Sequence, residues 1–170
     1  MKYKNEDFEL TDEFIDIGYM AEEIEATDIE DKEILIKKAS ENRMIQIFLS
    51  FPSFEDFKDE IIAFDEFMND AKVEIFTYLL FNEKIKIDYE FKTIVPVFDI
   101  NQDYADMYGT KIVSGKLENR LTKALFIIGK DGAIYYIDMP DDLEKPLDIE
   151  RVRVELNKVY QSYTGVGCHG

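Results

Sequence analysis

The sequence predicts one α/β domain in which helices cover a mixed β-sheet. Two apolar runs, residues 43–49 and 72–80, enclose a segment with the period of an amphipathic helix. Residues 124–128 and 133–138 flank Gly129-Lys130-Asp131-Gly132, a strong hairpin signal, and a last helical pattern follows Pro146. The chain has 170 residues, 46% of them hydrophobic and 14% aromatic. That suffices for one sizeable core and excludes an intrinsically disordered chain.

The elements follow in order. Residues 2–15 read as a short hairpin with Asn5-Glu6-Asp7 as its turn. Residues 20–27 alternate weakly, and 33–39 are ambiguous between strand and helix. Residues 43–49 have the look of a buried strand, which Pro52 ends by keeping Phe51 out of the α region. Ser53 is the expected N-cap, with Asp56 completing a weaker capping box. Phe54, Phe57, Ile61, Phe64 and Met68, with Phe67 adjacent, form the apolar face of a helix over 54–69. Residues 72–80 return to strand character. Residues 84–92 place Ile85, Ile87, Tyr89 and Phe91 on one side and charges on the other, which predicts a half-exposed strand. Residues 93–98 make a further strand, in which Pro96 marks an edge or an irregularity. Residues 101–108 suit a short helix capped by Asn101 and stopped by Gly109. The closing helix, about 147–162, buries Ile149, Val152, Leu156, Val159 and Tyr163. Residues 1–163 form the predicted domain, and 164–170 a flexible Gly-rich tail.

Composition excludes several functions. The net charge is −17, and so acidic a surface repels phosphate backbones, arguing against nucleic acid as a partner. No run approaches the ~20 apolar residues of a membrane-spanning helix, so no membrane partner is expected. The single cysteine, Cys168, excludes an intramolecular disulfide, a CxxC redox pair and a cysteine-based zinc site. The lone His169 excludes any site needing two imidazoles. No metal and no cofactor is predicted. MKYKNEDFEL lacks the apolar segment of a signal peptide, which with one cysteine predicts a cytoplasmic location.

The ordered set of motifs resembles the thiol peroxidases, peroxiredoxins on a thioredoxin-like fold, across nearly the whole chain. A buried strand runs into Phe51-Pro52-Ser53, where that family has a Pro-Ser followed by its active-site Thr and Cys. Asp103-Tyr104-Ala105-Asp106-Met107-Tyr108-Gly109 is similar to the family's short helix ending in Tyr-Gly. Gly115-Lys116-Leu117 keeps the family's spacing to the next strand, and the closing strand, Lys-Asp-Gly, strand, Pro-Leu-Asp and helix also fit. The resemblance implies a thioredoxin-like mixed central sheet flanked by helices, an N-terminal β-hairpin, and a homodimer.

The departures bear on function. The family's nucleophile is a thiolate in the first turn of the helix after Pro-Ser, activated by the helix N-terminus and a nearby Arg. Phe54-Glu55-Asp56-Phe57-Lys58-Asp59-Glu60 holds no cysteine. Counting forward from Pro52 puts Asp59 at the thiolate's position, and counting back from the helix aromatics puts Phe57 there. The family's Thr position falls on Asp56, and its Arg is replaced by Lys123. The family's resolving cysteine lies on a helix where this chain has the strand-like 84–92.

Each candidate also has an ordinary explanation. Asp59 and Lys123 preserve the charge pattern of a thiolate and a guanidinium, but in a chain that is 34% charged two solvated charges are the simpler reading. Asp56 suits the capping box, Arg120 a surface cation, and Phe48, Phe51, Phe54 and Phe57 the core rather than a pocket. Cys168 beside His169 offers a possible redox thiol, with an incidental cysteine in a loose tail as the simpler reading. The acidic run over 22–33 reads as a solvated face. The resulting expectation is a thiol-peroxidase-like protein without peroxidase chemistry, acting as a binding or regulatory module whose protein partner the sequence does not name. The alternatives are a thiol-dependent redox protein using Cys168 and a structural module that offers strand 84–92 for pairing.

Overall fold

The computed structural model describes residues 1–39, 44–71 and 74–163. The expectations at residues 43, 72 and 73, the tail 164–170 with Cys168 and His169, and the side chain of Tyr163 lie outside them. The first hairpin joins β1 (Lys2–Tyr3) to β2 (Glu6–Asp7). It turns on Lys4 and Asn5, both at positive φ (49° and 66°), the geometry that suits a two-residue hairpin. The turn therefore precedes the one expected: Glu6 and Asp7 pair with Tyr3 and Lys2.

The ambiguous stretch at 33–39 resolves as a strand. β3 (Ile24–Asp28) and β4 (Glu33–Ile36) form an antiparallel pair that buries Ile24, Ala26 and Ile36. β5 (Ile45–Ser50) follows, with all six residues buried. The chain then makes a 3-10 turn at Glu55–Phe57 and the helix α1 (Lys58–Asn69). Ser53 caps neither: no side chain caps these helix starts, and the Ser53 hydroxyl donates instead to the Asp56 carboxylate at 3.1 Å. β6 (Ile75–Phe81), β7 (Ile94–Phe98), the helix α2 (Asp103–Met107), β8 (Ala124–Ile128), β9 (Ile134–Asp138) and the helix α3 (Ile149–Tyr163) complete the order. α3 begins two residues later than the periodicity predicts, where the Asp148 carboxylate accepts from the Arg151 N–H at 3.0 Å.

The seven-stranded sheet has the order β4-β3-β7-β6-β5-β8-β9. β5, β6 and β7 run parallel and the outer pairings are antiparallel, which is the mixed sheet the sequence predicts. Strand alternation divides the core. Ile45, Ile47 and Leu49 face α1 and α3, together with Phe54, Phe57, Phe64, Val152 and Leu156. Phe48 faces the opposite side with Phe126, Tyr104 and Tyr108 of the α2 region. Among the described residues, no helix is long and apolar enough to cross a membrane.

Two expectations change here. Pro96 lies in an interior strand, β7, yet β3 pairs only with Val97 and Phe98, so the Pro96 stretch has an open edge on that side. Residues 84–92 form no strand. Their apolar residues are half-buried on alternate positions and pack on the α1 side of the core, but among the described residues no strand pairs with them. A period of two reports a half-buried extended chain; it does not report a ladder.

Buried carboxylates fix the connections. Asp65 of α1 accepts from the backbone N–H groups of Lys92, Thr93 and Ile94 and from the Thr93 hydroxyl, at 2.9–3.1 Å. Burial pushes this carboxyl up, but those donors outweigh it and hold it below the ordinary 3.8. Asp99, not Asn101, caps α2, accepting from the Tyr104 and Ala105 N–H groups at 3.0 and 2.8 Å. Asn101 donates to Glu25 instead. Burial, opposed by those two N–H groups and aided by Asp103 and Asp106, pushes Asp99 up to about 6. Gly109 ends α2 as expected: its φ is +68°, and a Cβ there would lie 2.5 Å from the Glu13 carbonyl oxygen.

These carboxylates give opposite pH signs. The fold favours ionised Asp65, so its contribution is present at neutral pH and lost as pH falls below 3.8. It favours protonated Asp99, whose contribution is full below 3.8 and lost as pH rises through about 6. Urea unfolding across pH 3–7 should therefore show Asp65→Asn costing most at pH 7, about 2 kcal/mol or more. Asp99→Asn should cost most at the acidic end. Parallel pH profiles for the two variants would contradict these assignments.

Candidate functional site

The candidate site forms where β5 ends. Ser50 pairs with Ala124 at the start of β8, so the residue before β8, Lys123, is brought beside the Phe51-Pro52-Ser53 turn. The Tyr104 hydroxyl donates to Ser50 Oγ at 2.8 Å, and Ser50 Oγ donates to the Thr122 carbonyl at 2.8 Å. This relay fixes the chain one residue before Lys123. Burial of the Tyr104 ring pushes its phenol well above 10, so it acts there as a neutral donor. Arg120 is not a free surface cation: it is half-buried and donates to the Pro52 carbonyl at 3.0 Å.

Lys123 is not a solvated charge either. It is 1% exposed, and its ammonium lies 2.5 Å from Glu60 Oε1 and 2.9 Å from the Lys145 carbonyl oxygen. The faces of Phe57 and Phe51 stand 5.3 and 5.7 Å away. The second oxygen of Glu60 accepts from the Leu147 N–H at 2.9 Å. Glu60 itself is 24% exposed, so the pair is buried at its cationic end and reaches water at its anionic end.

The structure thus brings Lys123 together with Phe57 and Glu60, and leaves Asp59 exposed and Asp56 bonded to Ser53. Glu60 is the residue the sequence reading passed over. It lies three residues after Phe57 and four before Phe64, a polar position at helical spacing from the buried stripe of α1. Asp59 is rotated about 100° from it. Phe51, Phe54 and Phe57 are core, as is Phe48 on the other face of the sheet. Phe57 packs between Phe51 and Tyr3 at 5.5 and 5.7 Å, which brings the N-terminal hairpin over the site.

A cavity of about 490 Å³ opens here, walled by Tyr3, Phe57 and Leu143 with Lys123 and Glu60 among its lining. Asp56, Asp59 and Glu144 give its rim an acidic bias. Among the described residues that line it, it offers hydrogen-bonding and ionic groups but no thiol. Among the described residues, no group of three His, Cys, Asp or Glu side chains is placed to hold a metal.

The ion pair should behave as a unit. Glu60→Ala strands a buried ammonium and should cost about 3 kcal/mol. Lys123→Met with Glu60→Leu should recover much of that loss, and a double-mutant cycle read by urea unfolding should give a coupling well above that of a surface pair. Additive single losses would show that the two charges act independently.

No protein-family model matches the chain, and no curated protein matches it. Solved structures do. A peroxiredoxin-like protein from Aquifex aeolicus superposes with a TM-score of 0.79 at 19% identity, covering 94% of this chain and 95% of that one. A thiol peroxidase from Chromobacterium violaceum gives 0.81 at 11% identity, covering 92% and 95%. The mitochondrial 2-Cys peroxiredoxin from Plasmodium falciparum gives 0.63 at 16% identity, covering 89% and 96%. The chain therefore has the peroxiredoxin fold, with the thioredoxin-like mixed sheet and the separate N-terminal hairpin that the motifs predict.

Proposed function

We propose that this chain is a peroxiredoxin-fold protein that does not reduce peroxide and serves as a binding or regulatory module. The observation that carries the reading is the Lys123–Glu60 pair beside the Phe51-Pro52-Ser53 turn. In the resembling family a thiolate and a guanidinium occupy this neighbourhood. Peroxide reduction requires the thiolate, because its sulfur must attack the O–O bond. A carboxylate keeps the negative charge and balances the buried cation without supplying that nucleophile. Glu60 is moreover engaged by Lys123 on one oxygen and by the Leu147 N–H on the other. The cavity gives the site room for a ligand, and none of the described side chains around it is a redox nucleophile. The proposed protein is a homodimer, by resemblance, and its single cysteine favours the cytoplasm.

A peroxide-consumption assay with dithiothreitol or a thioredoxin system tests the reading. The expected result is no turnover above the rate of reductant alone, for the full chain and for Cys168→Ser alike. Turnover at ordinary peroxiredoxin rates that is abolished by Cys168→Ser would replace it with the redox reading centred on that thiol. Turnover that survives Cys168→Ser would overturn both.

A further inference from the structure

We propose that residues 84–90 form a self-complementary pairing edge that binds the same segment of a second copy of this chain, antiparallel. The proposal rests on the homodimer part of the reading above and is independent of the loss of peroxidase chemistry.

The segment is an extended chain without a ladder. Among the described residues, no main-chain N–H or carbonyl of 84–90 has a backbone partner, and no strand lies beside it. Ile85, Ile87 and Tyr89 are half-buried against the core, which holds the segment flat and fixes which face points out. Beside it a groove of about 450 Å³ separates it from Ile29, which is 57% exposed, and Pro96. Among the described residues, no other element covers that edge. An exposed row of unpaired main-chain groups is a template for strand addition.

The outward side chains choose the occupant. They run Lys84, Lys86, Asp88, Glu90: two cations followed by two anions. An antiparallel copy centred on Ile87 sets Lys84 opposite Glu90, Lys86 opposite Asp88, and Ile85 opposite Tyr89 on the core face. By the two-fold symmetry each charge pair occurs twice. The neighbouring in-phase registers are poorer. Centring on Asp88 keeps Lys86 opposite Glu90 but sets Asp88 against itself and Lys84 against Lys92, and centring on Lys86 keeps Lys84 opposite Asp88 but sets Lys86 against itself and Glu90 against the uncharged Asn82. A parallel copy in register stacks like charges throughout. Opposed charges on facing strands stabilise and like charges destabilise. Out-of-phase registers turn the apolar residues of one copy outward.

In the single chain Lys84 pairs with Asp31, and Asp88 with Lys58 at 3.6 Å. Both are well-exposed pairs, worth little in water, so exchanging or sharing them opposes association weakly. The rest of the surface is strongly acidic, with a net charge of −17, yet the four outward residues of the segment sum to zero. It is therefore a stretch on which two copies can approach without adding to that repulsion.

Sedimentation velocity on the full chain tests the pairing, with circular dichroism to confirm folding. The wild type should dimerise at about 100 μM or below. Lys84→Glu with Lys86→Glu should raise the dimer dissociation constant about tenfold or more, and so should Asp88→Lys with Glu90→Lys. Mixing the two variants should restore a dimer, because each then presents the charges the other lacks. Wild-type dimers unaffected by either double variant would overturn this surface while leaving a homodimer in place. A wild type that stays monomeric would overturn the homodimer reading and this surface together. Folded variants that lose self-association but fail to associate when mixed would overturn the charge register.

Discussion

A lysine ammonium buried to 1% exposure constrains everything around the end of β5. An ion that deep is tolerated only if its charge is balanced and its donors are satisfied. Here the balancing group comes from α1, the accepting carbonyl from Lys145, and the apolar walls from Phe51 and Phe57. Three stretches of chain that are distant in sequence, around residues 51–60, 123 and 145, must therefore meet at one point. The second oxygen of Glu60 extends the constraint to Leu147, just before α3. A hydrophobic residue at position 123 would fill the same space and would impose no such agreement among the connections.

The same device holds the far side of α1. Asp65 sits five residues beyond Glu60 and gathers the three successive N–H groups that lead into β7. Glu60 orients the segment before α3, and Asp65 orients the segment before β7. Between them, Ile61 and Phe64 supply the apolar contact that brings α1 to the sheet. Apolar contact is non-directional and sets only how closely the helix packs. The two carboxylates set which loops it meets and at what height, because each has donors at fixed positions. In an acidic chain these two charges are structural, whereas most of the others remain in solvent.

Much of this was legible in the sequence because it is periodic. The apolar stripe of α1, the fully buried β5, the hairpin on Gly129–Gly132 and the Tyr-Gly stop of α2 follow from spacing and turn chemistry alone. What was not legible depends on tertiary partners. Asn101 is as good a local cap as Asp99, and only the folded chain shows that Asp99 points at the Tyr104 and Ala105 N–H groups. Asp59 and Glu60 are adjacent carboxylates, and the helical rotation that separates them is decided by which neighbour shares a face with Phe57. Lys123 and Arg120 read as surface cations because nothing local announces a buried lysine. Its burial is visible only once β8 is paired with β5 and the Pro52 turn lies alongside.

Residues 84–92 are the most instructive disagreement. Their alternation is as regular as any in the chain, and it correctly reports which side chains meet the core. It says nothing of what the main chain meets, because a period of two arises from the pleat of one extended chain and needs no partner. Ordinarily the two go together, since an unpaired extended chain pays for its order without ladder bonds. Here the order comes from elsewhere. Asp65 clamps the end of the segment at Lys92 and Thr93, and Phe91 meets Phe54 edge-on at 6.2 Å. Anchors on the α1 side fix the extended conformation and leave the opposite edge open. α1 is thus the element on which both distinctive surfaces depend: its first turns wall the charged cavity, and its later turns present an ordered edge whose main-chain groups have no backbone partner among the described residues.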